Sequence, residues 1–131
     1  VTTSNTNNSI QFHLALSHVN VTVPANAEAA AKKFYGTVLG LQELPKPAGS
    51  RQNVGAWYQL GGVQLHLSVE ENVTNAASDR HVCYVVTDVA VAERRLRDSG
   101  IEIIPDPRPI AGVNRFYVRD PGGNLIEIAE A

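Results

Sequence analysis

His81-Val82-Cys83-Tyr84 repeats His18-Val19-Asn20-Val21, and the residues downstream of each stretch repeat as well. Each opens an apolar run of strand character, passes into a helix-like segment, and reaches a glycine followed by an aliphatic residue: Gly40-Leu41 in the first copy, Gly100-Ile101 in the second. Farther on, Trp57-Tyr58 precedes Gly61-Gly62 and His66, as Phe116-Tyr117 precedes Gly122-Gly123 and Glu127. His66 and Glu127 both stand four residues beyond the second glycine of their pair. A duplicated unit therefore delivers His18 and His66 from one copy, and His81 and Glu127 from the other.

The pattern around these points predicts the elements. Apolar residues alternate from Leu14 through Val23, with a shift at Ser17-His18, which reads as a strand with a bulge. Pro24 closes it, Asn26 is placed to cap a helix from about Ala27 to Val38, and Gly40 stops that helix. A short strand is expected over Leu41–Leu44. Two more, Val54–Leu60 and Val63–Val69, flank Gly61-Gly62 as a hairpin. The second copy predicts a strand at His81–Val86, a helix over Val89–Ser99 capped by Asp88, a strand at Ile101–Ile104, and a proline-rich loop from Pro105 to Pro109. Arg115–Val118 and Leu125–Ala129 complete it around Asp120-Pro121-Gly122-Gly123-Asn124, a strongly marked turn. Each copy reads strand, helix, strand, strand, strand, an α+β fold.

A chain of 131 residues fits one domain, and half-units of about 60 residues would each be marginal alone, so the two copies are expected to complete one another. The expected organisation is a disordered segment at 1–12, module one at 13–70, a polar linker at 71–80 and module two at 81–131. A net charge of −2 offers no basic footprint for nucleic acid. No apolar run approaches the length of a membrane helix, and a single cysteine, Cys83, suits a reducing compartment. A cytoplasmic location is expected, with neither nucleic acid nor membrane as a partner.

Strand alternation sharpens the candidate site. His18 shares a face with Asn20, opposite Val19 and Val21, while Glu127 stands between Ile126 and Ile128. A carboxylate set among apolar neighbours is costly to bury unless it is paired or coordinated. Three imidazoles and a carboxylate suit Zn, Ni, Fe or Mn rather than Ca or Mg, which prefer all-oxygen shells. Arg115 and Tyr117 share a face of their strand, where a guanidinium can grip an anionic group in bidentate fashion or pair with Asp120 or Glu127.

These residues resemble the vicinal oxygen chelate superfamily, which includes glyoxalase I, fosfomycin-resistance enzymes, bleomycin-binding proteins and extradiol dioxygenases. The resemblance rests on His18-Val19-Asn20-Val21, on the helix end from Phe34-Tyr35 to Gly40-Leu41, on Leu65-His66-Leu67, and on Arg115 through Asn124 running into Glu127. It implies paired βαβββ modules forming a curved mixed sheet around a metal-site cavity, usually with two chains contributing to each site. It implies His18, His66, His81 and Glu127 as ligands of one divalent metal, with Glu127 also the catalytic base. The slot held by His66 is typically a glutamate in glyoxalase I and is not a ligand in the fosfomycin enzymes. Asn20, Trp57, Arg115 and Tyr117 match substrate-facing positions of the fosfomycin enzymes. The implied activity is that of a glyoxalase I-like lyase or isomerase on a small substrate, with glutathione or another thiol as a possible cosubstrate, in a homodimer. An extradiol-type dioxygenase and a non-catalytic bleomycin-type binding protein remain as alternatives.

Overall fold

The computed structural model describes residues 12–131, so the expected disorder of the N-terminal segment lies, apart from Phe12, outside the described residues. Residues 12–17 are exposed and form no strand among the described residues, although Ser17 O accepts from Gln64 N, and the first strand, β1, begins only at His18 and runs His18–Val23. The helical segment after it departs from expectation. It opens with a 3₁₀ turn, Ala25–Ala27, continues as α1 (Glu28–Lys33), and ends in a π-helical turn, Phe34–Val38. Asn26 makes no cap, because Pro24 O accepts from Ala27 N and the Glu71 carboxylate, arriving from the far end of the module, accepts from Ala25 N at 2.8 Å. The wider π turn buries Phe34 and Tyr35 side by side. Gly40, at φ +74°, then ends the helix with the Leu41 N–H donating back to Tyr35 O, a six-residue closure that needs a left-handed residue before its donor.

Three strands complete the first module: β2 (Glu43–Leu44), β3 (Ala56–Leu60) and β4 (Val63–Val69). The second module has β5 (His81–Val86), α2 (Val89–Asp98), β6 (Ile104–Pro105), β7 (Arg115–Arg119) and β8 (Leu125–Glu130). Here the expected cap is made, with Asp88 Oδ1 accepting from Ala90 N and Val91 N. The strands expected at Leu41–Leu44 and Ile101–Ile104 shrink to two-residue pairings, because only Glu43–Leu44 and Ile104–Pro105 reach the neighbouring strand. No helix among the described residues is long and apolar enough to cross a membrane.

Each module forms its own four-stranded mixed sheet, ordered β1-β4-β3-β2 and β5-β8-β7-β6. In both, the first strand runs parallel to the last and lies at an edge. One face of each sheet supplies the core: Val23, Tyr58, Leu65 and Leu67 from module one, Phe116, Val118, Ile126 and Ile128 from module two. Tyr35, Phe34 and Leu96 from the helices join them.

The junction between modules is polar and tightly specified. Tyr35 Oη donates to Asp120 Oδ2 at 2.6 Å across the buried seam, while the other oxygen of Asp120 accepts from Gly122 N and Asn124 N inside the turn. Asn124 Nδ2 and Asn75 Nδ2 both donate to Thr22 O at the end of β1. Asn75 lies in the stretch read as linker, yet it is buried and also donates to Gly122 O. A side chain at Gly122 would drive its Cβ into the Val23 side chain, so only glycine lets the turn close on β1.

Burial, then the Asp120 charge, pushes the Tyr35 phenol well above its ordinary value; burial lifts Tyr58 to about 12 and also raises Tyr84. Tyrosines of an unfolded chain ionise near pH 10, so above that pH the unfolded state loses protons that the folded state keeps. The stabilisation is thus complete below about pH 10 and is lost as pH rises toward 12. The urea midpoint is expected to stay level up to about pH 9.5 and fall beyond it, less steeply in Tyr35→Phe. At neutral pH that variant should lose about 1–2 kcal/mol, the worth of one buried hydrogen bond. A midpoint flat through pH 11 would contradict the assignment.

Candidate metal centre

The two sheets place their polar residues by the same register. In module one Asn20 lies opposite His66, which lies opposite Trp57. In module two Cys83 lies opposite Glu127, which lies opposite Tyr117. His18 and His81 open their edge strands two residues earlier, on the same face. Core packing on one side of each sheet therefore forces His18, Asn20, His66 and Trp57 onto the open face of module one. It forces His81, Glu127, Tyr117 and Arg115 onto the open face of module two.

In module two the candidate pair has defined partners. His81 Nδ1 lies 2.9 Å from Asp79 O, a carbonyl that can only accept, so the proton of a neutral ring belongs on Nδ1. Nε2 faces Glu127 Oε1 at 3.2 Å. With a proton on it the ring donates to the carboxylate, and without one the two atoms can share a cation. His81 and Glu127 would hold such a cation as two of its ligands. The carbonyl behind the imidazole is the outer partner that commonly orients a metal-binding histidine.

Glu127 is surrounded further by Arg115 Nη1 and Tyr117 Oη, each at 3.5 Å. Arg115 does not present a free fork. Its Nε donates to Asp106 Oδ2 at 2.8 Å and its Nη2 to Arg108 O at 3.1 Å, tying down the proline-rich loop. Of the pairings read from sequence, Glu127 is thus realised and Asp120 is not, because Asp120 is held by Tyr35 and its own turn. The Arg115 hydrogen bond holds the Asp106 carboxyl below the usual range. Burial, then the Glu127 charge, raises the Cys83 thiol, which keeps its proton beside the ligand pair.

Module one is arranged differently. The His66 ring is sandwiched between Trp57, with centroids 3.8 Å apart and planes 4° apart, and His18, at 4.1 Å and 15°. Imidazole lone pairs lie in the ring plane, and one cation cannot lie in two parallel planes about 4 Å apart. In this stack His18 and His66 do not point at a common ion. His66 Nε2 is also engaged by Gln64 Oε1 at 2.9 Å, whereas His18 has only the Ser17 hydroxyl on Nδ1, at 3.1 Å, and is exposed. Asn20 accepts from Ser68 Oγ at 2.7 Å.

The four candidate ligands thus assemble as two pairs, and among the described residues no group of three or more His, Cys, Asp or Glu side chains converges within one chain. Sequence reasoning missed Asp106, Asp79 and Gln64. Gln64 was visible as the residue sharing parity with His66; Asp106 and Asp79 reach the site from loops, where no periodicity points.

The chain matches the family described as the Glyoxalase/Bleomycin resistance protein/Dioxygenase superfamily over residues 15–128. Among solved structures it is similar to a protein of Bacillus anthracis assigned to the glyoxalase family, with 36% identity, 92% of this chain and 97% of that chain covered, and a TM-score of 0.79. Lactoylglutathione lyase from Agrobacterium tumefaciens shares the fold at 22% identity, with 92% and 96% covered and a TM-score of 0.70. A genomically encoded fosfomycin resistance protein from Listeria monocytogenes shares it at 15% identity, with 92% and 93% covered and a TM-score of 0.69. No curated protein sequence matches the chain.

Burial, then His18 and Lys46, lowers the His66 pKa from its ordinary value. Protonated imidazole quenches a stacked indole, and Trp57 is the single tryptophan. Its emission should fall on acidification with a midpoint below about 6.5, and His66→Asn should remove the step. A step at or above that pH would contradict the stack.

Proposed function

The chain belongs to the Glyoxalase/Bleomycin resistance protein/Dioxygenase superfamily, and on that premise we propose that it is a metal-dependent enzyme of the vicinal oxygen chelate type, acting as a glyoxalase I-like isomerase. The observation that carries this reading is the His81–Glu127 pair, an imidazole nitrogen and a carboxylate oxygen 3.2 Å apart, with the other ring nitrogen against the Asp79 carbonyl. That donor set fits Zn, Ni, Fe or Mn. His18 is the third ligand in this reading. It comes from the other chain of a twofold dimer, facing His81 and Glu127 of the partner subunit, so three protein ligands leave positions open for substrate. His66 serves to stiffen His18 from behind, and it becomes a fourth ligand only by leaving both ring stacks.

A divalent cation held there supplies a Lewis acid for two adjacent substrate oxygens and for the negative charge that develops on them. The chain's own residues do the rest. The Glu127 carboxylate would take a proton from the substrate carbon and return it to the neighbouring carbon. Arg115 and Tyr117 keep the carboxylate aimed while it does so. The substrate class is a 2-oxoaldehyde presented as its thiol adduct, with glutathione the thiol to test first.

Support for the dimer comes from the free edges. Among the described residues β1 and β5 each have one unpaired edge, and two apolar side chains are exposed there, Leu16 just before β1 at 62% and Val85 in β5 at 64%. Leu16, Val19, Leu60 and Val63 of module one and Val82, Tyr84 and Val85 of module two line one apolar groove between the modules, which in this reading a second copy covers.

Glu127→Gln should weaken Ni or Zn binding by more than the roughly 10- to 100-fold that loss of an outer partner costs, and should abolish isomerisation of the methylglyoxal–glutathione adduct. Unchanged metal affinity in a folded variant would remove Glu127 from the site. Sedimentation at micromolar concentration is expected to show a dimer, and a monomer that still binds metal tightly would overturn the shared site.

A further inference from the structure

The open face of module one carries a second feature that the metal ligands do not use. Beside His66 lies a cleft of about 320 Å³ lined by Asn20, Lys46, Arg51, Trp57, His66 and Ser68, among others, with no carboxylate in its wall. Lys46 Nζ donates to Arg51 O at 2.6 Å and to Val54 O, two neutral acceptors that fix the ammonium in place without neutralising it. An ammonium has three N–H donors, so one remains. Neither Lys46 nor Arg51 forms an ion pair among the described residues. Asn20 Oδ1 accepts from Ser68 Oγ, which leaves the amide nitrogen free to donate. The cleft thus combines two uncompensated cations, a free amide donor and a flat indole. Arg115, the residue that sequence reading favours for gripping an anion, is already engaged by Asp106, Arg108 O and Glu127.

We propose that this cleft is an oxyanion subsite, in which Lys46, Arg51 and the Asn20 amide hold a carboxylate or phosphate group against Trp57. Its place in catalysis rests on the metal-enzyme reading above: the bound group is the anionic arm of the substrate chelated at His18. Asn20 follows His18 by two residues on the same strand face, about 7 Å along the strand. The substrate class is therefore a small molecule that carries an anionic group as well as vicinal oxygens.

The test uses the full chain and the emission of Trp57, titrated with sodium phosphate and with sodium acetate against sodium chloride at matched ionic strength. A saturable response to phosphate, to acetate or to both supports the subsite, and which one saturates identifies the oxyanion. Arg51→Gln should raise the dissociation constant by about 10- to 150-fold, as loss of one charge-assisted hydrogen bond implies. Lys46→Gln should do at least as much. Lys46 also ties the loop, so Arg51→Gln, whose side chain makes no such tie, is the decisive variant. No saturation, an equal response to chloride, or affinity unchanged in Arg51→Gln would overturn the proposal. Glu127→Gln is expected to lose metal yet keep the parental phosphate response. If the parent protein binds phosphate in the cleft but no metal, the enzymatic reading fails while the subsite stands.

Discussion

Every second side chain of these strands must enter the core, and that alternation decides what the remaining side chains can do. In β1, β4 and β8 the core positions are occupied by Val, Leu and Ile, and in β5 Tyr84 and Val86 pack partly buried against the same core. A slip of one residue would turn those residues to solvent and drive His66 and Glu127 inward. The apolar core therefore holds the chemical face in register, with no contribution from the ligands themselves. Because β1 lies parallel to β4 and β5 to β8, His18 and His66 become near neighbours, as do His81 and Glu127, although about 46 to 48 residues separate the members of each pair.

The seam between modules makes the two faces parts of one molecule. Tyr35, Asp120, Asn75 and Asn124 satisfy one another and the end of β1 with directional bonds, and Gly122 admits no side chain. A polar seam of this kind fixes orientation more sharply than apolar contact would, because each buried group left unpaired costs about 1–3 kcal/mol. It leaves β1 and β5 as free edges, each starting with a histidine. In the proposed dimer those edges are where the half-sites meet, so assembly and metal binding depend on the same strands.

Much of this was legible in the sequence, for identifiable reasons. The duplication, the glycine stops at Gly40 and Gly100, the Asp88 cap and the Asp120–Asn124 turn are local signals that tertiary packing has no cause to override. The strand at His81–Val86 is where the β-branched run predicts it. What was not legible depended on residues distant in sequence. The first helix is capped by Glu71 rather than Asn26. The apolar stretch before His18 forms no strand, since alternation alone cannot supply a pairing partner. At the site, parity predicts that His18 and His66 share a face, but not that Trp57 stacks on His66 and orders both rings. Arg115 was legible as a residue of the same strand face as Tyr117, whereas its engagement with Asp106 follows from a loop conformation that no periodicity encodes.

The central claim is that one functional metal centre draws His18 from one chain and the His81–Glu127 pair from another. Mixing the two broken forms tests it most directly: His18→Ala chains and Glu127→Gln chains, each deficient alone, are co-refolded and their metal content measured. A shared site regenerates one intact centre in each mixed dimer, so metal binding should return to about half of the parental level per mixed dimer. Recovery of none, with mixed dimers demonstrably present, would contradict the account.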